Sequence, residues 1–173
     1  MKTLYLIRHD KVAVPTGLCY GQTDVPLAAS PVNLAANLRA QLPISYALFC
    51  SPLSRCRLLA EQLGQPIEDT RFMEIHFGDW EERMFADTPR SQIDAWAANP
   101  LHFQMPGGES VAAMQARVLA ALGDAIVCAA DDIVIVSHGG PIRAMLGHIQ
   151  KIPPLEWMQK AIDYGSLTVL ELP

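Results

Sequence analysis

Short apolar runs and longer stretches of helical spacing alternate along this chain. The runs at 3–8 (TLYLIR), 46–50 (YALFC), 131–137 (DDIVIVS) and 166–172 (SLTVLEL) have the length and composition of strands. The centre of 131–137 is apolar without a break, which predicts a strand covered on both faces in the middle of a sheet. Helices are predicted between the strands. Ser30-Pro31 opens one, with Leu34, Leu38 and Leu42 on a single face. Ser51-Pro52 repeats the start signal, and Gly64 marks a stop. Val111, Met114, Val118 and Leu122 lie at helical spacing after PGGES at 106–110, and HGGPIRAMLGHI at 138–149 turns directly into a further helix. Residues 66–106 show no sustained periodicity apart from a helix around 90–98.

Strand alternating with helix predicts an α/β fold, a three-layer sandwich around a mostly parallel central sheet. The 166–172 strand is a candidate for an antiparallel edge. The 173 residues suit a single domain, 1–173, large enough to bury a sizeable core. Half of the residues are apolar and 18% are charged, so a globular chain is expected. The formal net charge of −5 argues against nucleic acid or an acidic membrane as partner, while a local cluster of cations could still bind a small anion. The start, MKTLYLIRHD, has too short an apolar run for a signal peptide, and no window is long enough to span a membrane. Cys19, Cys50, Cys56 and Cys128 form no CxxC pair, and are read as inert, reduced thiols of a cytoplasmic protein.

Ligands of open α/β sheets bind beyond the carboxyl ends of the strands. The 3–8 run ends in Arg8-His9. The 46–50 run leads into SPLSRCR, which puts Arg55 in the first turn of a helix, a poor place for a cation unless an anion binds there. The 131–137 run ends in Ser137-His138-Gly139-Gly140. Three strand ends thus send two arginines and two histidines to one edge. Arginine's planar fork suits phosphate, helix N-termini add backbone donors, and Gly139 and Gly140 allow a ligand close to the backbone. A neutral imidazole can attack phosphorus, and a second, protonated one can hold a phosphoryl oxygen. The departing alkoxide needs a proton, and Glu74, between Met73 and Ile75, is the best candidate to supply it. Tyr20, Gln22 and Thr23, in GLCYGQTDVPL at 17–27, are read either as pocket-lining groups or as an ordinary polar loop. Phe77 and Trp80 are read as core, and His76, His102 and His148 as surface or packing residues.

LIRHD, SPLSRCRLLA, EIHFGDWEE and VSHGGPIRAML, in that order and spanning nearly the whole chain, resemble the histidine phosphatase superfamily, whose fold is the phosphoglycerate mutase-like one. The resemblance implies that His9 becomes phosphorylated, that Arg8, Arg55 and His138 hold the phosphoryl group, and that Glu74 is the proton donor. It implies a small phosphorylated substrate and no metal or organic cofactor. GLCYGQTDVPL looks most like the alpha-ribazole phosphatase branch, a cobalamin-pathway enzyme and its relatives. The chain is short for a cofactor-dependent mutase, which favours hydrolysis. Because Glu74 must start protonated, a mildly acidic or neutral optimum is expected.

Two positions depart from the family's pattern. Asp10 stands where Gly is usual, and Glu81-Glu82 where Glu-Gly is frequent. Asp10 brings a carboxylate close to the phosphate pocket, where it could repel phosphate or accept a hydrogen bond from a substrate hydroxyl or a loop amide. Three alternatives to a phosphatase stay open: a phosphoglycerate mutase, a phospho-ligand binding protein without turnover, and a metal-dependent hydrolase. The sequence carries no signal of oligomeric state.

Overall fold

In a computed structural model, which describes residues 2–128 and 130–172, the elements follow in chain order. They are β1 (Lys2–Arg8), β2 (Leu18–Cys19), α1 (Val32–Arg39), β3 (Ala47–Cys50), α2 (Ser54–Leu63), β4 (Ile67–Glu68), β5 (Arg83–Met84), α3 (Arg90–Ala98), α4 (Val111–Ile126), β6 (Asp132–Ser137), α5 (Gly139–Ile149), α6 (Pro154–Trp157) and β7 (Leu167–Leu172). The main sheet runs β4-β3-β6-β1-β7. β6 is central and pairs in parallel with both β1 and β3; β4 pairs in parallel with β3, and β7 closes the far edge antiparallel to β1. The α/β sandwich and its antiparallel edge are as the alternation of runs predicts.

Alternate residues of the inner strands feed two apolar layers, because successive strand side chains point to opposite faces. Leu4, Leu6, Ile133 and Ile135 pack with Met114, Val118 and Leu122 of α4 and with Ile142 and Met145 of α5. Ile7, Val134 and Val136 pack on the other face with Leu38 of α1 and with Cys56, Leu59 and Leu63 of α2. An inner strand of Ile and Val therefore has no polar face to spare, which is why β6 reads as an uninterrupted apolar run.

Ser51 does not cap α2. That helix begins at Ser54, and Asp24 caps it from the 17–27 loop by accepting the Ser54 N–H at 2.9 Å and the Ser54 hydroxyl at 2.7 Å. Ser51 is buried and turned toward His138 instead. Residues 69–110 contain three short 3₁₀ turns, β5 and α3. An aromatic cluster of Phe77, Trp80, Phe85, Trp96 and Phe103 ties them together. This is the stretch without a readable period, and its order comes from long-range packing rather than from a repeating face.

Candidate active site

The parallel register brings three strand ends to one edge. Arg8 lies opposite Ser137, and Cys50 opposite Val136, so Arg8-His9, Ser51 and His138 leave the sheet side by side. The His9 and His138 rings are 5.1 Å apart. Arg55 enters from the first turn of α2. His9, Arg55 and His138 are almost completely buried, at 1%, 0% and 0% exposure. Buried charge needs partners, and backbone carbonyls of distant loops supply them. Arg55 Nη1 donates to Thr23 O at 2.9 Å and Nη2 to Gly21 O at 2.6 Å; Arg8 Nη1 donates to Ile162 O. The Arg8 guanidinium lies over the Tyr164 ring at 3.9 Å, and that of Arg55 is 5.0 Å from the Tyr20 ring. The Nε–H groups of both arginines are buried without a protein partner among the described residues. Two orphaned cationic donors beside two imidazoles make a cluster suited to the oxygens of an anion.

His9 is held in one tautomer. Its Nδ1 is 2.7 Å from Asp10 O, and a carbonyl only accepts, so Nδ1 carries the proton and Nε2 keeps a free lone pair. Burial drives the His9 pKa down to about 3, with Arg55 and Arg8 pushing the same way and the bond to Asp10 opposing them. The ring is therefore a neutral base at physiological pH.

His138 departs from the expected protonated imidazole. Burial, followed by the charges of Arg55, His9 and Arg8, holds its pKa well below the ordinary value. Two guanidinium groups already provide the positive charge, so His138 serves as a neutral ring, positioned by Ser51 Oγ at 2.8 Å from Nε2. Asp10 receives a simple account: its Oδ1 accepts the Lys11 N–H at 2.7 Å. It bonds a loop amide, one of the roles its sequence position allowed.

Glu74 sits in the irregular segment, with the backbone there clamped by two side chains. Arg117 donates to Met73 O at 2.7 Å and Glu74 O at 2.8 Å, and Gln22 Nε2 donates to Glu74 O at 3.0 Å. The carboxylate accepts the Ile75 N–H at 2.9 Å and the Gly140 N–H at 3.2 Å. A Cβ at position 140 would lie 2.2 Å from Glu74 Oε1, so this approach requires glycine. The first-turn amide of α5 at Gly140 is thus taken by the Glu74 carboxyl group. Gly139 packs beside Arg8, whose guanidinium carbon is 3.5 Å from where its Cβ would be.

Glu74, Phe77 and Arg143 line both of two adjoining cavities. The larger, about 650 Å³, also meets Arg8, Lys11, Tyr20 and Tyr164; the smaller, about 330 Å³, runs the other way between Trp96, Met114 and Trp157. Tyr20 is thus pocket-lining. Gln22 and Thr23 are not: Gln22 is spent on Glu74 O, and the Thr23 hydroxyl and amide both donate to Glu81 Oε2, at 2.6 and 2.8 Å. Their place is to hold the loop that orients Arg55. Phe77 faces the cavities, whereas Trp80 is core and donates to Gln92 at 2.6 Å. Ser51, Arg117, Arg143 and Tyr164 were not singled out by sequence. Arg117 alone left a trace, as a charge three residues after Met114 on the buried side of α4. Burial pushes the Cys19 and Cys50 thiols up to about 12 and Cys56 well above the usual range, so these cysteines are inert.

The family model of the histidine phosphatase superfamily (branch 1) matches residues 4–173. The chain belongs to the histidine phosphatase superfamily. It is 27% identical over 179 residues to glucosyl-3-phosphoglycerate phosphatase of Mycobacterium tuberculosis, covering 90% of this chain and 78% of that one. It is 29% identical over 183 residues to a 2,3-bisphosphoglycerate-dependent phosphoglycerate mutase of Gloeobacter violaceus, covering 95% and 83%. The crystal structure of the alpha-ribazole phosphatase from Shigella flexneri superposes with a TM-score of 0.86 at 26% identity, covering 99% of this chain and 91% of that one. Phosphoryl chemistry of the phosphatase and mutase type on a small phosphorylated substrate is what this histidine phosphatase site is built for.

Proposed function

We propose that this histidine phosphatase hydrolyses phosphomonoesters through a phosphohistidine on His9, with Glu74 as proton donor. The observation that carries the reading is the neutral, tautomer-fixed His9, with Nε2 free, beside two buried guanidinium Nε–H groups that have no protein partner among the described residues. In the first step the Nε2 lone pair forms the N–P bond, the ester P–O bond breaks, and the Glu74 carboxyl proton passes to the departing alkoxide. Arg8, Arg55 and His138 hold the non-bridging oxygens throughout. The Asp10 carbonyl, bonded to Nδ1–H, stabilises the positive charge that the ring gains. In the second step a water oxygen attacks phosphorus, Glu74 takes its proton, and the N–P electron pair returns to Nε2. The products are an alcohol and inorganic phosphate.

The substrate reading is alpha-ribazole 5′-phosphate. Its supports are the GLCYGQTDVPL loop and the likeness to the Shigella flexneri enzyme. Free cysteines at 19, 50, 56 and 128 agree with a place in the cytoplasm. A phosphate-release screen tests both levels of the reading. Alpha-ribazole 5′-phosphate is expected to show the highest kcat/KM in a panel with phosphoglycerates, phosphoserine, sugar phosphates and nucleotides, and EDTA is expected to have no effect. Conversion of 3-phosphoglycerate to its 2-isomer after priming with a bisphosphate would establish the mutase instead. Vanadate binding without release of phosphate from any ester would establish a non-catalytic binder.

A further inference from the structure

Beyond Glu74 the site changes character. The cavity of about 330 Å³ on that side is walled by Phe77, Trp96, Met114, Trp157 and Met158, with the exposed Leu155 at its rim. Phe77 and Trp96 meet edge to face, with centroids 6.4 Å apart and planes at 74°. The charged groups in its lining are Glu74 and Arg143. Arg143 Nε is committed to Lys160 O at 2.6 Å, and burial lowers the pKa of its half-buried guanidinium. The volume lies within the range of small-molecule sites, which are mostly apolar with a few placed polar groups.

Geometry connects this cavity to the reaction. In an in-line displacement the leaving oxygen departs opposite the attacking nitrogen, and the acid that protonates it must lie within hydrogen-bond reach. Glu74 lines both this cavity and the one containing Arg8. A group carried by a leaving oxygen beside Glu74 can therefore reach past Glu74 and Arg143 onto the aromatic wall.

We infer that the cavity walled by Trp96, Phe77, Met114 and Met158 is the leaving-group subsite, and that it takes a flat, apolar aromatic ring carried by the alcohol esterified to phosphate. The assignment of a leaving side rests on the hydrolytic reading above. Ring faces and thioethers pack well against flat, polarisable groups. An ester with a carboxylate beside its phosphate, such as phosphoserine or a phosphoglycerate, finds little to hold its second charge. Of the two ionisable groups there, the Glu74 carboxyl offers no positive charge, and Arg143 Nε is already bonded to Lys160 O.

Non-hydrolysable phosphonates separate this subsite from turnover. Calorimetry on the full chain would compare 1-naphthylmethylphosphonate, methylphosphonate and 3-phosphonopropanoate. The naphthyl compound should bind about 30-fold more tightly than methylphosphonate, as expected for filling an apolar pocket. Trp96→Ala, and separately the surface substitution Leu155→Glu, should each cut that ratio about 10-fold. Equal binding of the naphthyl and methyl compounds, tightest binding of the carboxylate compound, or a ratio unmoved in both variants would overturn the subsite. Phosphate release from 1-naphthyl phosphate is read in parallel. A naphthyl preference without any release would support the subsite while sinking the hydrolytic reading.

Discussion

The two sides of Glu74 are built from different materials. On the phosphoryl side, Arg8, His9 and His138 stand at the carboxyl ends of buried parallel strands, and Arg55 is in the first turn of the helix after a third. Their positions are fixed by sheet register and by carbonyls of the 20–24 and 160–164 loops. On the leaving-group side, Phe77, Trp96 and Met158 come from the irregular 69–110 segment and from the end of α6. The comparison teaches where rigidity is spent. A phosphoryl group is the same in every ester, so its pocket lies on the least deformable part of the fold. The organic group varies, so its pocket is assembled from segments that can change without moving the strand ends.

Substitutions on the two sides should therefore behave differently. Arg55→Ala should have the largest effect among those that spare the nucleophile, lowering kcat/KM by about 10³-fold for every ester alike. A loss confined to bulky esters would break the division into two sides. Arg117→Met acts through the backbone of Glu74 and should lower kcat by about 10²-fold for alkyl phosphates. It should cost far less for 4-nitrophenyl phosphate, whose leaving group needs no proton. Equal losses on both esters would reduce Arg117 to a structural residue.

Acidity probes the buried half. As pH falls from about 6.5 toward 3, the unfolded chain takes up a proton that folded His9 refuses, so stability falls with pH across that window. His138 is shifted in the same direction and adds to the loss. The melting temperature should decline between pH 6.5 and 4, and should decline less in His9→Asn; a flat wild-type profile would contradict the buried neutral pair. A turnover rate climbing steadily to pH 9 would remove Glu74 as the acid. The smallest expected effect is Glu82→Gly. Glu82 holds φ at 63°, a left-handed conformation that costs a side-chain-bearing residue about 1 kcal/mol. That variant should gain about that much stability in denaturant melts without a change in kcat/KM.

The same division explains what could be read from the sequence. Arg8, His9, Arg55 and His138 were legible because strand runs announce their own ends, and a parallel sheet brings those ends together. Position 10 tolerates Asp because its φ is not left-handed, whereas position 82, the other departure from the family pattern, carries the strain that glycine would relieve. Ser51 misled as a helix start, since Ser-Pro is a local signal and its hydroxyl is claimed by His138, 87 residues away. Gln22 and Thr23 misled for a like reason: their partners, Glu74 and Glu81, become neighbours only in the folded chain. Trp96 and Met158 left no trace as site residues, because an apolar side chain lining a cleft has the same sequence signature as one in the core.

The central claim is that phosphorus passes through His9. Enzyme mixed with a radiolabelled phosphomonoester and stopped in alkaline denaturant during steady turnover tests it most directly. The account predicts protein-bound label that survives base, is lost in acid, maps to His9 and is absent from His9→Ala, which should turn over at least 10⁴-fold more slowly. Turnover without labelled enzyme, or a His9→Ala variant that keeps its rate, would contradict it.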